Sequence, residues 1–101
     1  MNSIERIEKK ELRGRILAVL DYNYPAGQRE KLVLQSLIAA RFDVTKRELK
    51  AQLAYLAEKG YVTLQQVGFT DIDLARQMVK LTASGKDLVD GNLEADPGVS
   101  V

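Results

Sequence analysis

The 101-residue sequence predicts an α+β fold, mainly α, in the order helix, helix, helix, strand, strand, helix (HHHββH). Three observations carry this. Apolar residues recur on a helical period of about 3.6 up to Lys59. Beyond Gly60 the period changes to the alternation of half-buried strands, at Tyr61–Gln65 and again at Gln77–Leu81. Threonines and glycines stand where helix starts and stops need them.

The first helix begins at Ser3, a candidate cap, and places Ile4, Ile7, Leu12, Ile16, Leu17 and Leu20 on a helical period. Gly14 costs this helix roughly 1 kcal/mol relative to Ala, and marks either a close helix crossing or a kink. The run Asp21 to Gly27, DYNYPAG, ends it, because Pro25 disfavours helix at the preceding residue and Gly27 is permissive. A second helix spans about Arg29 to Arg41. Its broad apolar face of Leu32, Val33, Leu37, Ile38, Ala39 and Ala40 predicts the most buried element of the fold. After a short turn at Phe42 and Asp43, Thr45 opens TKRE, a capping box in which the threonine oxygen takes an orphan amide. The third helix runs from Lys46 to Lys59 and stops at Gly60, with Leu49, Leu53 and Leu56 facing the core.

Tyr61 to Gln65 then forms one strand and Gln77 to Leu81 another, with Val79 and Leu81 on one face. The eight residues between Val67 and Arg76, GFTDIDLA, are too many for a tight turn and make an extended hairpin loop. Thr82 caps a closing helix from about Ala83 to Asp90, ended by Gly91. Residues 1–91 thus form one domain and residues 92–101, polar and broken by proline, a C-terminal tail.

Hydrophobic residues make up 46% and charged residues 29% of the chain, the composition of a globular protein. The sequence has neither cysteine nor histidine. Disulfides, thiolate metal sites and the usual general base are therefore excluded. No nucleophile is accompanied by a base, no cation loop or P-loop spacing is present, and no cofactor is called for, so a non-enzymatic protein is expected. The apolar runs, Ile16 to Leu20 and Leu37 to Ala40, are far below the roughly 20 residues that cross a bilayer. No membrane association and a cytoplasmic location are expected. Net charge is +1, but it is polarised: residues 1–70 carry 12 basic and 8 acidic side chains, and residues 71–101 carry 3 and 6.

Several local strings agree with this element order. LAYLAEKGYV, Leu53 to Val62, resembles the recognition-helix end and first wing strand of small bacterial winged-helix regulators. VKLTASGKDLV, Val79 to Val89, is similar to the second wing strand and closing helix of the same group. The resemblance covers about residues 4 to 90 and implies a winged helix, made of a three-helix bundle, a two-stranded wing and a closing helix. In its size and its acidic, proline-containing end the chain also resembles small winged-helix proteins carried by Mu-like prophages.

A winged helix implies a third helix able to enter the major groove of duplex DNA. Opposite its core leucines stand Arg47, Ala51, Ala54 and Glu58, flanked by Lys50 and Tyr55. Arg47 and Lys50 suit guanine or phosphate, while Ala51 and Ala54 permit close approach or contact with thymine methyls. Thr45 and Lys46 at the helix start add phosphate contacts. The candidate DNA-binding set is thus Thr45, Lys46, Arg47, Lys50, Ala51, Ala54, Tyr55 and Arg76, the last at the margin of an otherwise acidic wing. Against it stands the bland reading, that any amphipathic helix exposes such residues. The wing itself departs from the DNA-binding pattern. It offers Asp71 and Asp73, and its Phe69, Ile72 and Leu74 either fold onto the body or form a patch for a protein partner. A protein-interaction or phage-assembly module is therefore the alternative function. Ile4 and Ile7 are candidate contacts of a homodimer formed through the N-terminal helix.

Overall fold

A computed structural model describes residues 3–66 and 77–101, apart from the side chain of Ser3. The chain is α+β and mainly helical. Its elements are α1 (Ser3–Asp21), β1 (Gln28–Arg29), α2 (Glu30–Ala39), α3 (Lys46–Glu58), β2 (Val62–Gln66), β3 (Gln77–Leu81) and α4 (Ala83–Val89). Every helix and strand expected from periodicity is present, with one addition. The sheet has three antiparallel strands in the order β1-β3-β2, because Gln28 pairs with Val79 and Arg29 with Met78. Two residues are too few for an alternation pattern to register, so β1 left no signal in the sequence. Gly27 precedes it where a Cβ would stand 2.9 Å from the Val79 carbonyl oxygen, so the missing side chain lets the two backbones meet.

The helix ends follow local rules. The Thr45 hydroxyl accepts the Glu48 amide at 3.1 Å, and the Thr82 hydroxyl accepts the Gly85 amide at 3.0 Å. The same Thr82 hydroxyl donates to the Gly60 carbonyl at 2.6 Å, fastening the start of α4 to the end of α3. α3 closes with Gly60 at φ +83, while the Gly60 amide bonds the Ala57 carbonyl and the Tyr61 amide that of Leu56. This paired arrangement is the Schellman motif. α2 ends in the same way on Arg41 at φ 70, a left-handed conformation uncommon for a residue with a side chain. Its stop was correspondingly less legible.

The core joins Leu12, Ile16, Leu17 and Leu20 of α1 to Leu49, Leu53 and Leu56 of α3, with Val33 and Leu37 of α2, Val79 and Leu81 of β3, and Leu88 of α4. One expectation fails here. α2 is not the most buried element: Leu32 and Ile38 are 50% and 54% exposed, and only Glu30, Val33 and Leu37 are buried. Its apolar residues are spread around the helix, and only one side is covered.

The C-terminal segment also departs from expectation. It lies across α1 and α3 instead of extending away as a tail. Val99 is buried at 4% exposure and Asp96 at 9%. The Tyr61 hydroxyl donates to Asp96 Oδ2 at 2.6 Å, and the Gly98 amide donates to Asp96 Oδ1 at 2.7 Å. Arg13 of α1 donates through Nη1 to the Gly98 carbonyl at 3.0 Å, and the Ser100 amide donates to the Lys10 carbonyl at 3.1 Å. Gly14 is the reason the segment fits, since a Cβ there would overlap the Ser100 carbonyl. The glycine thus marks neither a helix crossing nor a kink but the close approach of the chain's own non-helical C-terminal segment.

Candidate nucleic-acid interface

α3 turns one face outward. With its leucines fixed in the core, the 100° step per residue directs Arg47, Ala51, Ala54 and Glu58 away from it, and all four are exposed. In the first turn Lys46 and Arg47 are exposed and hold no hydrogen bond or ion pair with a described residue. They are available to an anionic partner, beside helix amides that favour negative charge. Thr45 is committed to its own helix. Its hydroxyl, besides accepting the Glu48 amide, donates to Glu48 Oε1 at 3.1 Å.

Lys50 and Tyr55, expected as flanking contacts, are both engaged within the chain. Lys50 Nζ lies 3.0 Å from Glu30 Oε2, with the lysine side chain 47% and the glutamate side chain 4% exposed. Glu30 opens α2, where the helix dipole favours a carboxylate, and its other oxygen, Oε1, is buried without a partner among the described residues. The lysine is the cation that makes this burial tolerable. On the opposite flank the Arg13 guanidinium stacks 3.7 Å from the Tyr55 ring centroid, and Arg13 Nε donates to Gln52 Oε1 at 2.7 Å. Tyr55 therefore belongs to the clasp between α1, α3 and the C-terminal segment. Residues 20 and more apart make these pairings, so no local motif announced them.

The Asp96 cluster beside this flank carries the clearest electrostatic signature. The hydrogen bond from Tyr61, with those from Gly98 and Lys59, holds the Asp96 carboxyl below its ordinary 3.8 against the opposing effect of burial. Donating that bond to the carboxylate raises Tyr61 from 10.0 to about 12, with burial adding to the rise. Lys59 Nζ stands 3.4 Å from Asp96 Oδ2, so a third cation near α3 is also occupied.

A groove of about 740 Å³ runs along the other side of the α3 N-terminus. Its floor includes Leu12, Phe42 and Val44, and its rim carries Glu5, Glu8, Glu11, Asp43 and Glu48 against Lys9 and Arg41. The free cations of α3 thus lie next to an acidic rim. Ile4 and Ile7, expected as dimer contacts, are 66% and 53% exposed on the first turns of α1. Arg76 and the wing residues Phe69, Asp71, Ile72, Asp73 and Leu74 lie outside the described residues. Among the described residues no group of three or more Asp or Glu side chains could hold a metal ion, and no helix is long and apolar enough to cross a membrane. Set against known proteins, the chain matches no family model, no curated protein and no solved structure.

Proposed function

We propose that this chain is a winged-helix protein that binds duplex DNA as a homodimer and regulates transcription by occupying its site. One observation carries the reading: α3 presents an exposed face of Arg47, Ala51 and Ala54, with Lys46 and Arg47 unpaired among the described residues at its start. A helix with small residues at its centre and free cations at its N-terminus is suited to the major groove, which admits a helix and offers guanine acceptors to arginine. The order α1, β1, α2, α3, β2, β3, α4 is compatible with helix-turn-helix docking, in which the second helix of the motif reads the groove. Lys46 and Arg47 are the principal contacts. Lys50 contributes from the flank while it neutralises Glu30.

Fluorescence anisotropy with labelled duplex at about 50 and 200 mM salt tests this, because neutralising phosphates makes the affinity fall with salt. Binding should weaken as salt rises, and the double variant Lys46→Ala/Arg47→Ala should lower the salt slope by about 1 for each phosphate it no longer neutralises. Affinity unchanged in that variant would remove the proposed docking mode. The acidic rim beside α3 favours a second reading, a protein-interaction or phage-assembly module that does not bind DNA; absence of binding even at the lower salt would select it.

A further inference from the structure

We infer that the groove between α1 and the start of α3 is a docking site for a basic amphipathic helical segment of a partner protein, one whose apolar stripe is flanked by Lys or Arg. The inference goes beyond duplex binding, since of the residues lining the groove Ala51 alone belongs to the face offered to DNA. Three segments build it. α1 supplies Glu5, Glu8 and Glu11 at steps of three residues, the connection between α2 and α3 supplies Ala40, Phe42 and Asp43, and α3 supplies Glu48 and Ala51. Leu12 and Val44 close the bottom, each 8% exposed, while Ala40 and Ala51 are exposed and Phe42 is half-buried. The floor is therefore apolar and open. One turn of helix, about 10 Å across and about 5.4 Å long, occupies roughly 400 Å³, so a volume of about 740 Å³ accepts nearly two turns.

Charge selects the occupant. Five carboxylates line the groove against two cations, Lys9 and Arg41, so its net charge is negative. The side chains of Glu8, Glu11 and Asp43 hold no hydrogen bond or ion pair with a described residue, whereas Asp21, Glu30, Asp90 and Asp96 are each paired with a lysine. The charge of the groove is thus left over from the fold. Gathered round a concave surface with low-dielectric walls, like charges focus a negative potential and draw in cations. These carboxylates do not converge on one point, since no group of three or more among the described residues could hold a metal ion. They suit cations spaced along a chain. A helix with Lys or Arg on both sides of an apolar stripe meets both demands, laying the stripe on the floor and a cation against each rim.

Fluorescence anisotropy on the full chain, with a labelled leucine–lysine peptide about 15 residues long and its leucines at helical spacing, reads the binding. At about 100 mM salt a screening length of about 10 Å suppresses distant attraction. Saturable binding is expected, and a peptide of the same composition with its leucines scattered round the helix should bind about tenfold more weakly, because it has no stripe to bury. Glu8→Lys/Glu11→Lys should lower the affinity about tenfold. Ala51→Trp, which fills the groove from an exposed position, should lower it as well. Glu58→Lys/Glu94→Lys reverses two exposed acids outside the groove and should leave the affinity unchanged, with circular dichroism confirming the native helix content of every variant. Absence of binding overturns the proposal. So do equal affinity for the scattered peptide and equal losses from the two charge reversals, because either means attraction to acidic surface in general. An affinity indifferent to Ala51→Trp puts the peptide elsewhere and overturns it too. No titration contains DNA, so failure of the duplex reading leaves these results standing, and duplex binding without peptide binding removes this inference alone.

Discussion

Replacing Gly14 by alanine should change the sign of its effect according to whether the C-terminal segment is present. In the full chain the new methyl would occupy the place of the Ser100 carbonyl, and the segment must lift from α1. Val99, now 4% exposed, would return to water at a cost of about 1.5–3 kcal/mol. Breaking the bonds from Arg13 to Gly98 and from Ser100 to Lys10 adds about 1 kcal/mol each. The helix itself gains roughly 1 kcal/mol when alanine replaces glycine. The balance is a loss of about 2.5–4 kcal/mol, which for a domain of this size lowers the melting temperature by roughly 10 °C or more. In a chain ending at Ala95 only the helical gain remains, and the same substitution should stabilise by roughly 1 kcal/mol. Urea unfolding of the four proteins in this cycle measures both values. A Gly14→Ala effect of the same sign with and without residues 96–101 would refute the idea that the glycine exists to seat the segment.

Two further expectations concern charged groups. Lys50→Ala leaves Glu30 buried without its cation and should cost about 1–3 kcal/mol in urea unfolding, whereas the double change Glu30→Leu/Lys50→Leu should recover most of the loss; equal destabilisation of both would mean the pair is not what holds α2 against α3. The Tyr61–Asp96 bond should give stability two edges in pH. The tyrosine is raised in the folded protein, so its contribution is complete below pH 10.0 and lost as pH climbs toward about 12. The carboxyl is depressed, so its contribution is complete above its ordinary 3.8 and lost as pH falls below that value through the folded one. Ultraviolet titration should show a tyrosine ionisation step near pH 12, and Tyr61→Phe should abolish that step and the alkaline edge together.

What the sequence made legible was what is decided within a few residues. Thr45 and Thr82 cap the helices that follow them, Gly60 and Gly91 take left-handed φ values at helix ends, and the leucine spacing of α3 names its buried side. Tertiary choices were hidden. Gln28 and Arg29 are a strand only because β3 is there to receive them. Lys50 looked like a free cation because Glu30, its partner, belongs to a different helix. The segment from Asn92 onward reads as polar, and only Asp96 and Val99 are buried, each by packing against residues far back in the chain. The outward face of α3 was read correctly as a surface, since exposure follows from the same periodicity that defines the core.

The position of β3 bears on the order in which the protein assembles. Among the described residues β1 and β2 are joined only through it, and the pairing of Gln28 with Val79 spans about 50 residues. A nascent chain that has emerged only as far as Gln66 therefore contains all of α1, α2 and α3 and two strand sequences, yet neither of the strand pairs. Closing so long a loop is entropically costly until the helices have brought its ends together. The helical part should collapse first and the sheet should lock it, so that pulsed hydrogen exchange finds the amides of α1 and α3 protected before those of β2 and β3. The strand that completes the sheet is then also the one that commits the chain to its fold.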